Sequence, residues 1–101
     1  QPGALMLVPM NGTALCPKVR EANDMGIPVI NPDTRLTCDE AEAVSFVGLD
    51  ERQSAIQMAE FLVEYYDGQA KLAILEGFRG SSTAEERLVG FNEVFDHHDG
   101  M

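Results

Sequence analysis

The sequence predicts an α/β fold, a parallel sheet with flanking helices. Short apolar runs alternate along the chain with longer stretches in which apolar residues recur at helical spacing. The stretch from Leu72 to Phe91 shows this best, with an apolar run, a polar turn containing glycine, and a serine that can begin a helix. Folds of this kind hold ligands at the carboxyl ends of their strands. The polar residues that follow each apolar run are therefore the candidates for a binding site.

The composition of the chain disfavours two classes of binding partner, nucleic acids and anionic membranes. The chain has 101 residues, enough for one small domain, and its 45% hydrophobic content is too high for disorder. Seven basic against 17 acidic residues give a net charge of −10, which disfavours nucleic acid and anionic membrane surfaces. We interpret the acidity as a contribution to solubility. No apolar run approaches the roughly 20 residues of a membrane span.

Both ends of the chain resemble internal positions of a longer protein. It begins with Gln1-Pro2-Gly3, directly before an apolar run, and ends with Asp99-Gly100-Met101 where another strand is expected. We interpret the chain as an internal piece, so the missing signal peptide carries no information about export.

The first part of the chain predicts a βαβ unit. Ala4 to Pro9 forms a continuous apolar run, typical of a strand buried on both faces. Asn11-Gly12-Thr13 then breaks the run, and Val19, Ala22 and Met25 keep helical spacing until Gly26 ends the helix. Ile27 to Ile30 is the second strand. The crossover between the two strands is expected to be right-handed.

The middle of the chain predicts a polar loop, a strand and a helix. Asn31 to Glu42 is polar and is expected to hold at most a turn of helix. Val44 to Leu49 is the third strand. Asp50 to Tyr66 is a helix with one apolar face that includes Ala55, Met58, Ala59, Leu62 and Tyr66.

The last part predicts a fourth strand and a final helix. Leu72 to Leu75 is the strand, and Ser82 with Glu85 forms an S-x-x-E capping box at the start of the helix. His97-His98-Asp99 suggests a metal site, but adjacent histidines on a helix point about 100° apart. We therefore expect no metal and no cofactor.

Cys16 and Cys38 follow two strands that are neighbours in the predicted sheet. A disulfide and two free thiols both remain open, and free thiols are favoured because a sequence does not give the Cα separation. A disulfide would indicate an oxidising compartment.

A carboxylate and a guanidinium follow the second strand. Asp33 and Arg35 flank Thr34, and the pair suits a polyhydroxyl ligand, because the acid accepts hydroxyl protons while the arginine donates. A solvated loop, or an ion pair between the two, is an equal alternative from the residues alone.

Two further charged residues lie at predicted helix starts. Arg87 is one turn into the last helix and could reach a ligand, although pairing with Glu86, Asp50 or Glu51 is favoured on spacing alone. Asp50 is explained by the preference for acids at a helix start. The sequence has no GxGxxG, GxxxxGK[ST], HExxH or GxSxG motif, and we expect no enzyme.

Three stretches carry a family resemblance: GIPVINPDTRL, SFVGLDERQSAIQMAEFL and KLAILEGFRGSSTAEERLVGF. In order and spacing they resemble the middle of sugar-binding periplasmic proteins of the ribose-binding type, whose fold lactose-repressor-type effector domains share. The resemblance implies two flavodoxin-like α/β lobes joined by a hinge, with the sugar between them. Residues 1–49 would be the later part of the first lobe, and residues 50–101 the hinge crossing and the first part of the second.

The resemblance also assigns site residues. Asp33 matches the family's sugar-contacting aspartate, Arg87 matches its ligand arginine, and Arg35 lies one position beyond the usual arginine. We add Thr34 and Asp50 as candidate ligand-binding residues. Where the family has Asp-Asn at the hinge this chain has Asp50-Glu51, and Glu85 replaces an arginine. These acids extend the expected ligands to cationic or amine-bearing solutes.

The functional expectation is a solute-binding protein for an ABC importer or a chemoreceptor, located in the periplasm or tethered outside the membrane. It would capture a sugar or sugar-like molecule without catalysis. The alternative is the effector-binding domain of a lactose-repressor-type regulator, which a basic helix-turn-helix upstream would reveal. An enzyme on the same fold is the weakest alternative.

Overall fold

The computed structural model describes residues 1–101. Three strands form one parallel sheet in the order β1-β2-β3. In chain order the elements are β1 (Leu5–Met6), α1 (Cys16–Asp24), β2 (Val29–Pro32), β3 (Ser45–Val47), α2 (Glu51–Tyr65) and α3 (Ser82–Phe95). This confirms the predicted parallel α/β class.

The chain divides into two compact units. The first unit comprises Gln1–Leu49 and Phe78–Ser82, and the second comprises Asp50–Gly77 and Thr83–Met101. None of the helices in the chain is both long enough and apolar enough to traverse a lipid bilayer.

The sheet of the first unit is short, and β2 is its central strand. Leu5 pairs with Val29 on one side, and Ile30 pairs with Ser45 on the other. The first strand is only two residues long rather than spanning Ala4 to Pro9, and Met6 is 75% exposed. The expectation that this strand is buried on both faces is therefore wrong, because Leu5 and Met6 point to opposite faces and are 36% and 75% exposed.

The core of the first unit lies between α1 and β2. Its buried members are Val19 and Ala22 from the helix, Val29 from the strand, and Ile27 from the segment just before the strand. The predicted helix residues Val19 and Ala22 are thus confirmed as core, whereas Met25 is half exposed. The helix ends as predicted, since Gly26 adopts the left-handed conformation that suits glycine at this position.

Cys16 and Cys38 form a disulfide, with their Cα atoms 5.5 Å apart. The expectation that favoured free thiols is wrong. The start of α1 and the middle of the loop after β2 meet here, and the Thr37 amide donates to the Gly12 carbonyl at 2.8 Å. The bond therefore ties the loop that carries Asp33 and Arg35 to the first turn of α1.

The second unit consists of α2, α3 and the segments beside them. Ala55 and Ala59 are the buried residues of α2, while Met58 and Tyr66, predicted on the same face, are half exposed. The two helices approach closely at Gly90, where an added Cβ would overlap the Arg52 carbonyl oxygen and lie 2.8 Å from the Ala55 Cβ. Small residues therefore form this helix contact.

The predicted fourth strand is absent. Leu72 to Leu75 has no regular secondary structure, and Leu75 is 97% exposed. A strand exists only through hydrogen bonds to a neighbouring strand, and none of the three strands in the chain pairs with this segment. An apolar run alone was not sufficient evidence for a strand.

Candidate functional site

The chain turns sharply at Asp33, directly after β2. Asp33 has a left-handed backbone, with φ of 65°, a conformation that aspartate tolerates better than most residues. Its amide still donates to the Val47 carbonyl at 2.8 Å, so the turn begins on the sheet. The side chain of Asp33 is exposed. Its carboxylate therefore stands free of the core at the carboxyl end of the central strand.

The side chain of Asn31, in β2, anchors the loop that contains Asp33 through hydrogen bonds. It is 1% exposed, and its Nδ2 donates to the carbonyl oxygens of Leu7 and Thr34, each at 2.9 Å. Its Oδ1 accepts from the Leu36 amide at 2.8 Å. Asn31 was not among the residues predicted from the sequence. The sequence signal for Asn31 is a polar amide at the same alternation as the buried residues Ile27 and Val29, of which Val29 belongs to β2.

Arg35 stacks on an aromatic ring. Its guanidinium carbon lies 3.7 Å from the centre of the Phe46 ring in β3, a cation–π contact. Asp33 and Arg35 form no ion pair with each other, so that alternative is not realised. Gly48 lies against the ring, because a Cβ there would come within 2.5 Å of Phe46. Phe46 and Gly48 were not identified from the sequence.

Ser82 is hydrogen-bonded to the loop after β2 that contains Asp33 and Arg35. Its hydroxyl donates to the Arg35 carbonyl at 2.8 Å, and the residue is buried. Ser82 is the first residue of α3 rather than the residue before it. The capping box predicted with Ser82 as the cap and Glu85 as its partner is therefore wrong, because the Ser82 hydroxyl bonds to Arg35 and joins two segments of the first unit instead.

The second unit holds Arg87 and Asp50. The Arg87 Nε donates to Glu51 Oε2 at 2.6 Å. The Arg87 side chain is 51% exposed, and that of Glu51 is 10% exposed. Pairing with Glu51 was one of the alternatives set against ligand binding, and it is present. Asp50 caps α2, since its side chain accepts from the Gln53 amide at 2.9 Å.

The predicted residues thus fall into two groups, one in each unit. Asp33, Thr34 and Arg35 share the loop after β2, and Thr34 is half-buried. Asp50 and Arg87 belong to the second unit. Exposed carboxylates and guanidinium groups offer acceptors and donors for hydroxyl-bearing ligands. The structure contains no group of three His, Cys, Asp or Glu side chains that could hold a metal ion.

Two shallow pockets of the first unit lie elsewhere. They have volumes of about 490 and 760 Å³, and both are lined by Asp39, Glu40 and Ala41. Neither pocket includes Asp33, Thr34 or Arg35. They therefore do not add to the candidate site.

Comparison with proteins of known function identifies relatives along nearly the whole chain. The chain is 34% identical over 97 residues to the D-ribose/D-allose-binding protein of Pseudomonas aeruginosa, covering 92% of this chain and 30% of that protein. It is 30% identical over 93 residues to the ribose import binding protein RbsB of Bacillus subtilis, with the same two coverages of 92% and 30%. The chain therefore spans less than a third of the length of these relatives, which are sugar-binding transport proteins.

Solved structures resemble the chain closely. The periplasmic solute-binding protein of Actinobacillus succinogenes with bound D-allose superposes with a TM-score of 0.81 at 30% identity, over 97% of this chain and 36% of that one. The arabinose-binding protein of Shewanella sp. ANA-3 superposes with a TM-score of 0.91 at 23% identity, over 99% and 33%, which shows a shared fold.

The match to a family model is complete along the chain. The model of the periplasmic binding protein domain matches residues 1–101. Together with the relatives above, this confirms the resemblance seen in the three sequence stretches. The chain belongs to the periplasmic binding protein domain family.

Proposed function

We propose that the protein containing this chain is a solute-binding protein that captures a sugar or sugar-like molecule for an ABC importer. The observation that carries the proposal is the Asp33–Arg35 loop, whose exposed charged side chains stand on a scaffold made by Asn31 and Phe46. The 34% identity to a D-ribose/D-allose-binding protein supports the same conclusion.

Each candidate residue has a specific role in the proposal. Asp33 accepts hydrogen bonds from sugar hydroxyls, and Arg35 and Arg87 donate to sugar oxygens, each as a charge-assisted bond. Thr34 adds a hydroxyl to the same loop. Asp50 contributes at the start of α2, where its carboxylate already accepts one backbone amide. Catalysis is not part of the proposed role.

We propose that residues 1–49 belong to the first lobe and that residues 50–101 contain the hinge crossing and the first part of the second lobe. The boundary between compact units at Leu49 and Asp50 supports this division. Phe78–Ser82 groups with the first unit, which the proposed division does not include.

The proposed location is the periplasm, or the outer surface of the membrane if the protein is tethered. Family membership supports the periplasm, and the Cys16–Cys38 disulfide fits an oxidising compartment. The partner would be the importer's membrane permease or a chemoreceptor. The relatives reported above are transport proteins, and they give no support to the regulator alternative.

Calorimetric titration of the intact protein tests the proposal. The panel contains D-ribose, D-allose and L-arabinose, with D-glucosamine included because Glu51 and Glu85 add negative charge. We expect saturable binding of at least one neutral sugar with a stoichiometry of one. Absence of binding across the whole panel, by protein that circular dichroism shows to be folded, would contradict the proposal.

A further inference from the structure

The ion pair between Arg87 and Glu51 uses only part of the arginine. A guanidinium has five N–H donors, and the contact with Glu51 engages the one on Nε. The terminal nitrogens of Arg87 are not part of this bond. An arginine held in this way can still donate to a ligand, and the carboxylate restrains the position of its guanidinium group.

The partners are unequal in exposure. Glu51 is 10% exposed, whereas Arg87 is 51% exposed. A carboxylate with so little access to water needs a positive partner, since an unpaired buried charge is costly. Loss of the pair would therefore leave the poorly solvated Glu51 carboxylate at a greater disadvantage than the exposed Arg87 guanidinium.

The helices that carry the two residues are in fixed register. Gly90, one turn after Arg87, leaves no room for a side chain against Arg52 and Ala55. A second ion pair, Arg52 with Glu93, links the same two helices. This second pair has the opposite polarity, with its base on α2 and its acid on α3. Close backbone contact and a second charge pair thus keep Glu51 opposite Arg87.

We propose that Glu51 is a positioning and specificity residue, which orients Arg87 and cancels its charge so that the site selects neutral polyhydroxyl sugars over anionic ones. This inference rests on the proposed function. An arginine whose charge is already matched gains little from a ligand carboxylate, and Glu51 adds repulsion. Donation to neutral hydroxyls by the terminal nitrogens is unaffected by the pairing.

The test compares D-ribose with D-ribonate, its carboxylate form, by calorimetry on the intact protein. L-arabinose with L-arabinonate, and D-allose with D-allonate, provide second and third pairs. The variant Glu51→Gln keeps an oxygen that can accept from Arg87 Nε and removes the charge. The matched control is Glu93→Gln, which uncouples Arg52 and leaves Arg87 in place.

We expect the wild-type protein to bind the neutral sugar at least tenfold more tightly than its acid. In Glu51→Gln the affinity for the acid, relative to that for the sugar, should rise about 10- to 100-fold, the range of a hydrogen bond to a charged group. In Glu93→Gln the ratio should stay at the wild-type value. A gain in affinity for the acid is a result that general destabilisation cannot produce.

Three results would overturn the inference. One is wild-type protein that binds an acid as tightly as its sugar, a measurement that needs no variant to fold. Another is a ratio unchanged in folded Glu51→Gln, and the third is an equal rise in Glu93→Gln. In each of these cases the wild type would still bind a neutral sugar, so the proposed function would be retained. Failure of the wild type to bind any neutral sugar would remove the proposed function as well.

Discussion

Removing the Cys16–Cys38 disulfide is expected to destabilise the first unit by about 3 kcal/mol. The bond joins residues that are 22 positions apart. Constraining a loop of this length lowers the entropy of the unfolded chain, and the loop-closure relation gives about 3 kcal/mol at 25 °C. The loss falls on the first unit, because both cysteines belong to it.

The change is the double variant Cys16→Ser/Cys38→Ser in the intact protein, measured by hydrogen exchange with and without reductant. Amide hydrogen exchange reports the opening of each unit separately. This is needed because a protein with more than one compact unit does not always unfold in a single two-state step. Buried residues Val19 and Val29 report on the first unit, and Ala55 and Ala59 report on the second.

The expected result is a fall of about 3 kcal/mol in the opening free energy at Val19 and Val29, with a much smaller change at Ala55 and Ala59. Reductant should reproduce this fall in the wild type and have no effect on the variant. If the wild type with and without reductant differed by less than about 1 kcal/mol, the chain-entropy reasoning would be refuted.

Two further substitutions test the scaffold. Asn31→Ala should destabilise the intact protein by roughly 2–4 kcal/mol, because it leaves the partly buried carbonyl of Leu7 and amide of Leu36 without their partner. It should also weaken sugar binding, and a urea midpoint unchanged from the wild type would contradict this role. Gly90→Val should cost about 1–3 kcal/mol by overlap with Arg52 and Ala55. Thermal unfolding measures that loss, with Gly3→Val as the control in open space.

Local sequence signals were sufficient for the order of elements in the first βαβ unit, for the end of α1 at Gly26 and for the start of α2 at Asp50. The apolar spacing of Val19 and Ala22, the turn at Asn11 and the glycine after α1 all correspond to features of the structure. Each of these signals depends on neighbours within a few residues. The parallel sheet was also predicted correctly, because two strands that are joined through a helix usually pair in parallel.

The errors concern partners that are distant in the chain. Leu72 to Leu75 has the composition of a strand, but a strand needs a neighbour, and no neighbour pairs with it. The disulfide depended on a Cα separation of 5.5 Å that spacing could not give. Asn31 and Phe46 support the candidate site through contacts that appear only in the folded chain.

The candidate residues themselves were found from type and position. The charged residues directly after a predicted strand, Asp33 and Arg35, were singled out from the sequence, with a solvated loop or an ion pair as an equal alternative. For Asp50 and Arg87 the residues alone favoured a helix cap and an ion pair, and their ligand-binding role was what the family resemblance implied. The sequence did not decide which partner Arg87 takes, because Glu86, Asp50 and Glu51 were all within reach. The structure places it on Glu51, and the ligand-binding role of all five candidate residues remains a prediction.

The most direct test of sugar binding through the loop after β2 is a calorimetric titration of Asp33→Ala in the intact protein. The control is Asp24→Ala, which removes an exposed carboxylate from the last turn of α1. We predict that the Asp33 variant keeps its fold by circular dichroism and loses about 100-fold or more in affinity for the sugar that the wild type binds, while the Asp24 variant keeps it. Wild-type affinity in folded Asp33→Ala would contradict the account.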